Sequence, residues 1–162
     1  MKKPIGIAFS LMGMLFVALL IPACAPTLGP KYVKPDKVQD NLGVVYIYRP
    51  TRFVGGGVSY DVKANGKTIT TLYNGGYYPY FANPGELEIS ASTESTSSVT
   101  LDIKLAQSYF VKGWVGVGIF IGRPHLLIVE TDVAEKEIVD CLLIPELKEG
   151  DKEKPKPVEE KK

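Results

Sequence analysis

Val58-Ser59-Tyr60-Asp61-Val62-Lys63-Ala64-Asn65-Gly66-Lys67-Thr68-Ile69-Thr70-Thr71-Leu72 is the stretch that decides the fold. Val58, Tyr60 and Val62 alternate with polar residues, the period-two pattern of a strand with one face in a core. Asn65-Gly66 comes next. That pair accepts the two positive φ angles of a type I′ turn, whose twist suits two antiparallel strands. Thr68-Ile69-Thr70-Thr71-Leu72 returns, so residues 58–72 predict a β-hairpin.

The same signals continue on both sides. Val44-Val45-Tyr46-Ile47-Tyr48 is β-branched and aromatic, and Pro50 stops it. Tyr77, Tyr78, Tyr80 and Phe81 mark a further strand. Asn83-Pro84-Gly85-Glu86 places Pro and Gly at the centre of a type II turn. Leu87, Ile89 and Ala91 alternate with polar neighbours, as do Val99, Leu101 and Ile103. Tyr109 to Val117 and Leu126 to Val129 complete the set. Many short strands separated by turns predict a mainly β domain, an antiparallel β-sandwich of Ig-like or transthyretin-like type. One short C-terminal helix is expected near 133–142. Asp132 and Glu135 have capping-box spacing, and Ala134, Ile138, Cys141 and Leu142 share a helical face. Ile138 to Ile144 is also strand-like, so a closing strand is the alternative.

The chain has 162 residues, and its ends carry a different message. Lys2 and Lys3 precede an almost unbroken apolar run from Ile5 to Ile21, then Pro22-Ala23-Cys24. A positive start, an apolar stretch and a small residue describe a secretory signal peptide. The cysteine after Ala23 makes the junction similar to the lipobox of bacterial lipoproteins, with Ile21 and Pro22 where Leu and a small residue are usual. Cys24 is therefore the expected lipid-attachment residue, and residues 1–23 the cleaved signal peptide. A plain signal peptide cut nearby and an uncleaved anchor are the competing readings. Pro22 opposes the anchor by ending its helix. Residues 24–42, with three prolines and several charges, read as a flexible tether to a domain at 43–146. Residues 147–162 hold six Lys and five acids and predict a disordered charged tail. Ala25 after the cysteine, rather than Asp, suits sorting to the outer membrane on the periplasmic side.

Composition narrows the function. Cleavage after Ala23 removes Lys2 and Lys3 and no acid, changing the formal charge from +1 to −1. Such a balance gives no reason to expect nucleic acid as a partner. Cys141 is then the remaining thiol, read as a small buried hydrophobe among Ile138, Val139, Leu142 and Leu143. His125 is the single histidine, and no serine lies in a nucleophile-elbow sequence, so no catalytic residues are assigned. No zinc or calcium spacing appears, and no metal or cofactor is assigned. Gly113-Trp114-Val115-Gly116-Val117-Gly118-Ile119-Phe120-Ile121-Gly122 lacks the third glycine of a dinucleotide fingerprint and the lysine–hydroxyl pair of a P-loop. Its glycines are read as serving a bent, closely packed strand, and its apolar residues as buried. Tyr46, Tyr48, Tyr60, Tyr73, Tyr77, Tyr78 and Tyr80 are either cross-strand packing residues or a platform for cell-wall sugars. Arg49 and Arg123 each precede a proline. They are candidate carboxylate-binding residues, with the satisfaction of backbone carbonyls as the alternative.

Several motifs together carry a resemblance. They are Val45-Tyr46-Ile47-Tyr48-Arg49-Pro50, Asn65-Gly66-Lys67, Gly76-Tyr77-Tyr78, Asn83-Pro84-Gly85-Glu86-Leu87-Glu88, Tyr109-Phe110-Val111-Lys112, Gly116 to Pro124, and Glu137-Ile138 with Cys141. In order and spacing they resemble the domain of unknown function 2846 family, whose members are often lipoproteins. The likeness spans about residues 43–145. It implies a β-rich domain anchored to a surface and transfers no catalytic residue. One place departs: the family tends to carry a Gly-Lys turn where Ala106-Gln107 stand here, which bears on that turn's left-handed geometry.

The combined expectation is a lipid-anchored cell-envelope lipoprotein held to the membrane through Cys24. Its non-enzymatic β-sandwich would bind or brace an envelope protein or the cell wall. The alternatives are an enzyme with an unrecognised carboxylate site and sugar binding through surface tyrosines.

Overall fold

The computed structural model describes residues 28–147. The expected signal peptide, Cys24 and all but the first residue of the expected tail at 147–162 lie outside the described residues. Among the described residues nine strands form two sheets, with one helix. The strands are β1 (Gly43–Tyr48), β2 (Tyr60–Ala64), β3 (Lys67–Leu72), β4 (Gly76–Ala82), β5 (Gly85–Ser92), β6 (Thr96–Ile103), β7 (Ser108–Gly116), β8 (Arg123–Ile128) and β9 (Leu142–Leu143). The helix α1 (Thr131–Ile138) lies between β8 and β9. One sheet has the order β8-β7-β1-β4-β9 and the other β3-β2-β5-β6.

β2 and β3 form the hairpin read from residues 58–72, with Ala64 opposite Lys67 and only Asn65-Gly66 between. Their φ angles of 46° and 79° are those of a type I′ turn. Asn83-Pro84 does something else. β4 belongs to the first sheet and β5 to the second, so this turn is a corner that carries the chain between sheets. Gly85 takes the positive φ, 127°, that the corner requires.

Every residue of β1 is buried, because this strand is central and covered on both sides. Val45 and Ile47 face the space between the sheets with Val62, Leu72, Ile89, Leu101 and Val111. Val44, Tyr46 and Tyr48 face outward, under α1 and the N-terminal segment, with Phe110, Ala134, Ile138 and Cys141. Pro79, in the middle of β4, has no N–H to give. It stands on the flank of β4 that β9 leaves free, since β9 pairs only Gly76 and Tyr77.

Four features differ from the sequence expectation. First, the larger sheet is mixed. β1 pairs with β4 in antiparallel fashion but with β7 in parallel. Parallel neighbours need a long crossover, and here it consists of β2 to β6. Second, the expected tether is partly docked. Gly29 N–H donates to Leu143 O (2.7 Å) and Tyr32 N–H to Cys141 O (3.0 Å). The Tyr32 ring stands edge-on to Tyr46 and Tyr77, with centroids 5.3 and 5.5 Å away. An apolar ring beside an uncovered sheet face outweighs the chain entropy of the prolines around it. Third, the segment after β8 is helix and then strand, combining both alternatives: α1 ends at Ile138 and β9 follows. Its N-cap is Glu130 with no side-chain cap bond, so the Asp132–Glu135 capping box does not form. Asp132 sits in the first turn instead, where its charge suits the helix dipole. Fourth, Ala106 keeps the left-handed conformation, φ 55°, without a glycine.

Candidate functional site

The strand directions gather four connections at one end of the sandwich: β1–β2, β3–β4, β5–β6 and β7–β8. β1 and β7 run parallel and both deliver their chains to that end. The register of β5 with β2 brings residues 93–95 there too.

The β1–β2 connection is held from inside by Arg49. Its guanidinium is buried, with the residue only 2% exposed. Nη1 donates to Val58 O (2.6 Å) and Nη2 to Gly55 O (2.7 Å). The charge also lies 5.7 Å above the Tyr60 ring. Burial lowers the guanidinium pKa, against the Tyr60 hydroxyl, without threatening its charge. Arg49 therefore satisfies backbone carbonyls, the alternative raised for it, and its donors point into the protein rather than toward a ligand. Asn74 secures the outer part of the connection through a pair of 3.0 Å bonds with the N–H and carbonyl of Arg52. Phe53 and Val54 project beyond these clamps into solvent.

The β7–β8 connection carries the glycines. Val117, Ile119, Phe120 and Ile121 are 86, 75, 91 and 58% exposed. The expectation of a buried apolar run is thus corrected: only Gly113–Gly116 lie within β7, and the rest is a projecting loop. Glu94, on the β5–β6 turn, holds this loop. Its carboxylate accepts the N–H groups of Ile119 (2.8 Å), Phe120 and Ile121. These bonds, Ile121 foremost, hold the carboxyl down at about 2. Successive amides thus form a nest around a carboxylate, so the loop's amides are already occupied by the chain's own anion. Thr93 Oγ1 adds a bond to Gly122 O (2.6 Å). A Cβ on Gly118 would lie 2.5 Å from Gly122, and Gly122 has φ 109°. The glycines close a tight loop rather than bend a strand.

Both loops share a seat. A Cβ on Gly55 would come within 2.9 Å of the Val115 side chain, and one on Gly122 within 2.7 Å. Arg123 is exposed at the start of β8, opposite Gly116, rather than at a strand's end. Arg52 is exposed beside Phe53. The end therefore presents apolar tips with arginines at their bases.

A second cluster lies under α1. Glu137 Oε1 accepts from Lys112 Nζ (2.5 Å), and Oε2 from the Tyr48 hydroxyl (2.7 Å). Burial works against the Glu137 charge, but Lys112 and then Tyr48 outweigh it and hold the carboxyl below its usual value. Burial and the adjacent Glu137 push the Tyr48 hydroxyl up. Nearby, Trp114 stacks on His125 at 5.0 Å and 13°, so the histidine packs within the edge strand β8. Cys141 is buried, and burial raises its thiol to about 11.

Among the proposed sugar-stacking residues, Tyr46, Tyr48, Tyr60 and Tyr77 are buried, which removes them from any surface platform. Tyr73, Tyr78 and Tyr80 are half-buried. Cys24 lies outside the described residues. Glu94 does not stand out in the sequence, and Glu137 does so only in the motif Glu137-Ile138 with Cys141. The only trace of their roles is an acid placed where a turn or a helix face would bring it to unpaired donors.

The chain is similar to an uncharacterised protein of Haemophilus influenzae, at 26% identity over 140 residues, covering 80% of this chain and 81% of the relative. No solved structure matches it. Residues 39–125, from before β1 into β8, match the family described as protein of unknown function (DUF2846). The chain belongs to that family.

Proposed function

We propose that this protein is a lipid-anchored component of a bacterial cell envelope, acylated at Cys24 after cleavage behind Ala23. Its β-sandwich acts as a non-enzymatic binding or bracing module on the periplasmic side of the outer membrane. The observation that carries this reading is the run from Ile5 to Ile21 closed by Ala23-Cys24. Each buried methylene of an attached chain adds about 0.8 kcal/mol, so several chains hold a domain stably. Two features of the fold support a module without catalysis. The space between the sheets is filled by apolar side chains. The carboxyls of Glu94 and Glu137 are both held low by donors, which suits staples rather than a general acid. Mass spectrometry of the mature N-terminus tests the anchor. An acylated Cys24 with residues 1–23 gone is expected. An unmodified Cys24, or an intact Met1, refutes it.

A further inference from the structure

We infer that the loop tips at residues 53–54 and 117–121 dock on the lipid bilayer that holds the anchor, so that the domain rests on the membrane by this end. The inference rests on the lipoprotein reading and adds an orientation to it.

Three observations converge. The first is chemical. Phe53, Ile119 and Phe120 project into solvent from two loops seated on the same residue, Val115. Aromatic and aliphatic tips with Arg52 and Arg123 at their bases match an interface where rings enter the acyl boundary and guanidinium groups meet phosphates. The second is electrostatic and concerns the backbone. A loop entering lipid must not carry bare amides. Glu94 satisfies those of residues 119–121.

The third is the reach of the anchor. Leu28, the first described residue, lies beside Gly56, Gly57 and Asn74, at the same end as the tips. Cys24 stands four residues before it. Even fully extended they span at most about 14 Å. A lipidated Cys24 is thus confined to about that distance from Leu28, beside the β1–β2 connection. Leu147, the last described residue, borders Lys67 and Thr68, next to the Asn65-Gly66 turn at the opposite end.

The test uses the full acylated protein in vesicles of phosphatidylethanolamine and phosphatidylglycerol. Phe53→Cys, Phe120→Cys and Lys67→Cys are made one at a time and labelled with an environment-sensitive maleimide dye. Cys141 stays unlabelled because it is buried. Dyes at 53 and 120 should shift to shorter wavelength and lose emission to spin-labelled lipid, while the dye at 67 should do neither. Vesicle flotation and the mass of the N-terminus are read on the same samples. A protein that floats with acylated Cys24, yet shows the same solvent-like emission at all three positions, overturns the docking and leaves the anchor standing. Dyes that are solvent-exposed in vesicles but shielded in intact envelopes also overturn it, because a partner then covers the tips. A protein without acyl chains that stays off the vesicles overturns both.

Discussion

Thr70 and Tyr60 show how little a side chain's sequence context says about its cost. Both hydroxyls are buried without a hydrogen-bond partner. Tyr60 keeps its place because its ring lies under Arg49 and its hydroxyl over Gly113, where a Cβ would also meet Leu72 at 2.7 Å. Thr70 fits a period-two strand as well as valine would. An unpaired buried hydroxyl costs about 1–3 kcal/mol, whereas an apolar group of the same shape costs nothing there. Thr70→Val should therefore stabilise the protein by about 1 kcal/mol, seen as a higher midpoint in urea with an unchanged slope. A lower midpoint would mean that Thr70 has a partner in solution. Arg49 teaches the reverse lesson. Arginine before proline at a strand's end was open to two readings, ligand or carbonyl, and only the path of residues 55–58 chooses the carbonyls.

At the scale of elements, α1 is held to β7 and β1 by the Lys112–Glu137–Tyr48 knot. Glu137→Gln should cost about 1 kcal/mol, less than the about 1.5–3 kcal/mol of a buried charged hydrogen bond because the carboxylate is partly solvated. The knot also sets an acid dependence. The folded pKa of Glu137 lies below its unfolded value, so its contribution is complete above the ordinary carboxylate range. It is lost as pH falls through the lowered value. Glu94 behaves alike, over a window from about 4.5 down to about 2. The melting temperature should drop on acidification within that window, and Glu94→Gln with Glu137→Gln should flatten the drop. An equally steep drop in the double variant would assign it to other groups. The β7–β8 loop has its own test. Gly118→Val would press a side chain onto Gly122 and Glu94, at a cost of about 1–3 kcal/mol. Melting several degrees lower, with no ligand present, is the expected result; an unchanged melting temperature would contradict the tight closure.

The whole molecule includes more chain than its strands suggest. Residues 29–32 pair with β9 and fill the outer face of the larger sheet through Tyr32. A chain starting at residue 43 should therefore be less stable than one starting at residue 25 by about 3 kcal/mol, the scale of losing a buried aromatic. Differential scanning calorimetry compares the two directly. Equal melting would return residues 28–42 to the role of a tether. The gathering of four connections at one end, two of them with apolar tips, also belongs to this scale. It follows from strand directions across two sheets and from nothing within either loop.

Alternation and turn chemistry in the sequence determined the β class, the Asn65-Gly66 hairpin, the strands themselves and the burial of Cys141. Those signals are local: period two and positive φ act over a few residues and need no partner to be read. Sequence also carried the family resemblance and the expectation of an anchor at Cys24. Tertiary structure alone decided the rest. Whether β1 meets β7 in parallel depends on where five intervening strands lead the chain. Whether Ile119 and Phe120 are buried depends on whether another element arrives to cover them, and none among the described residues does. The glycine loop looked like a possible phosphate cradle or a bent strand. It became a nest for Glu94, because the fold brings that carboxylate from a turn more than twenty residues away to amides that would otherwise lack acceptors.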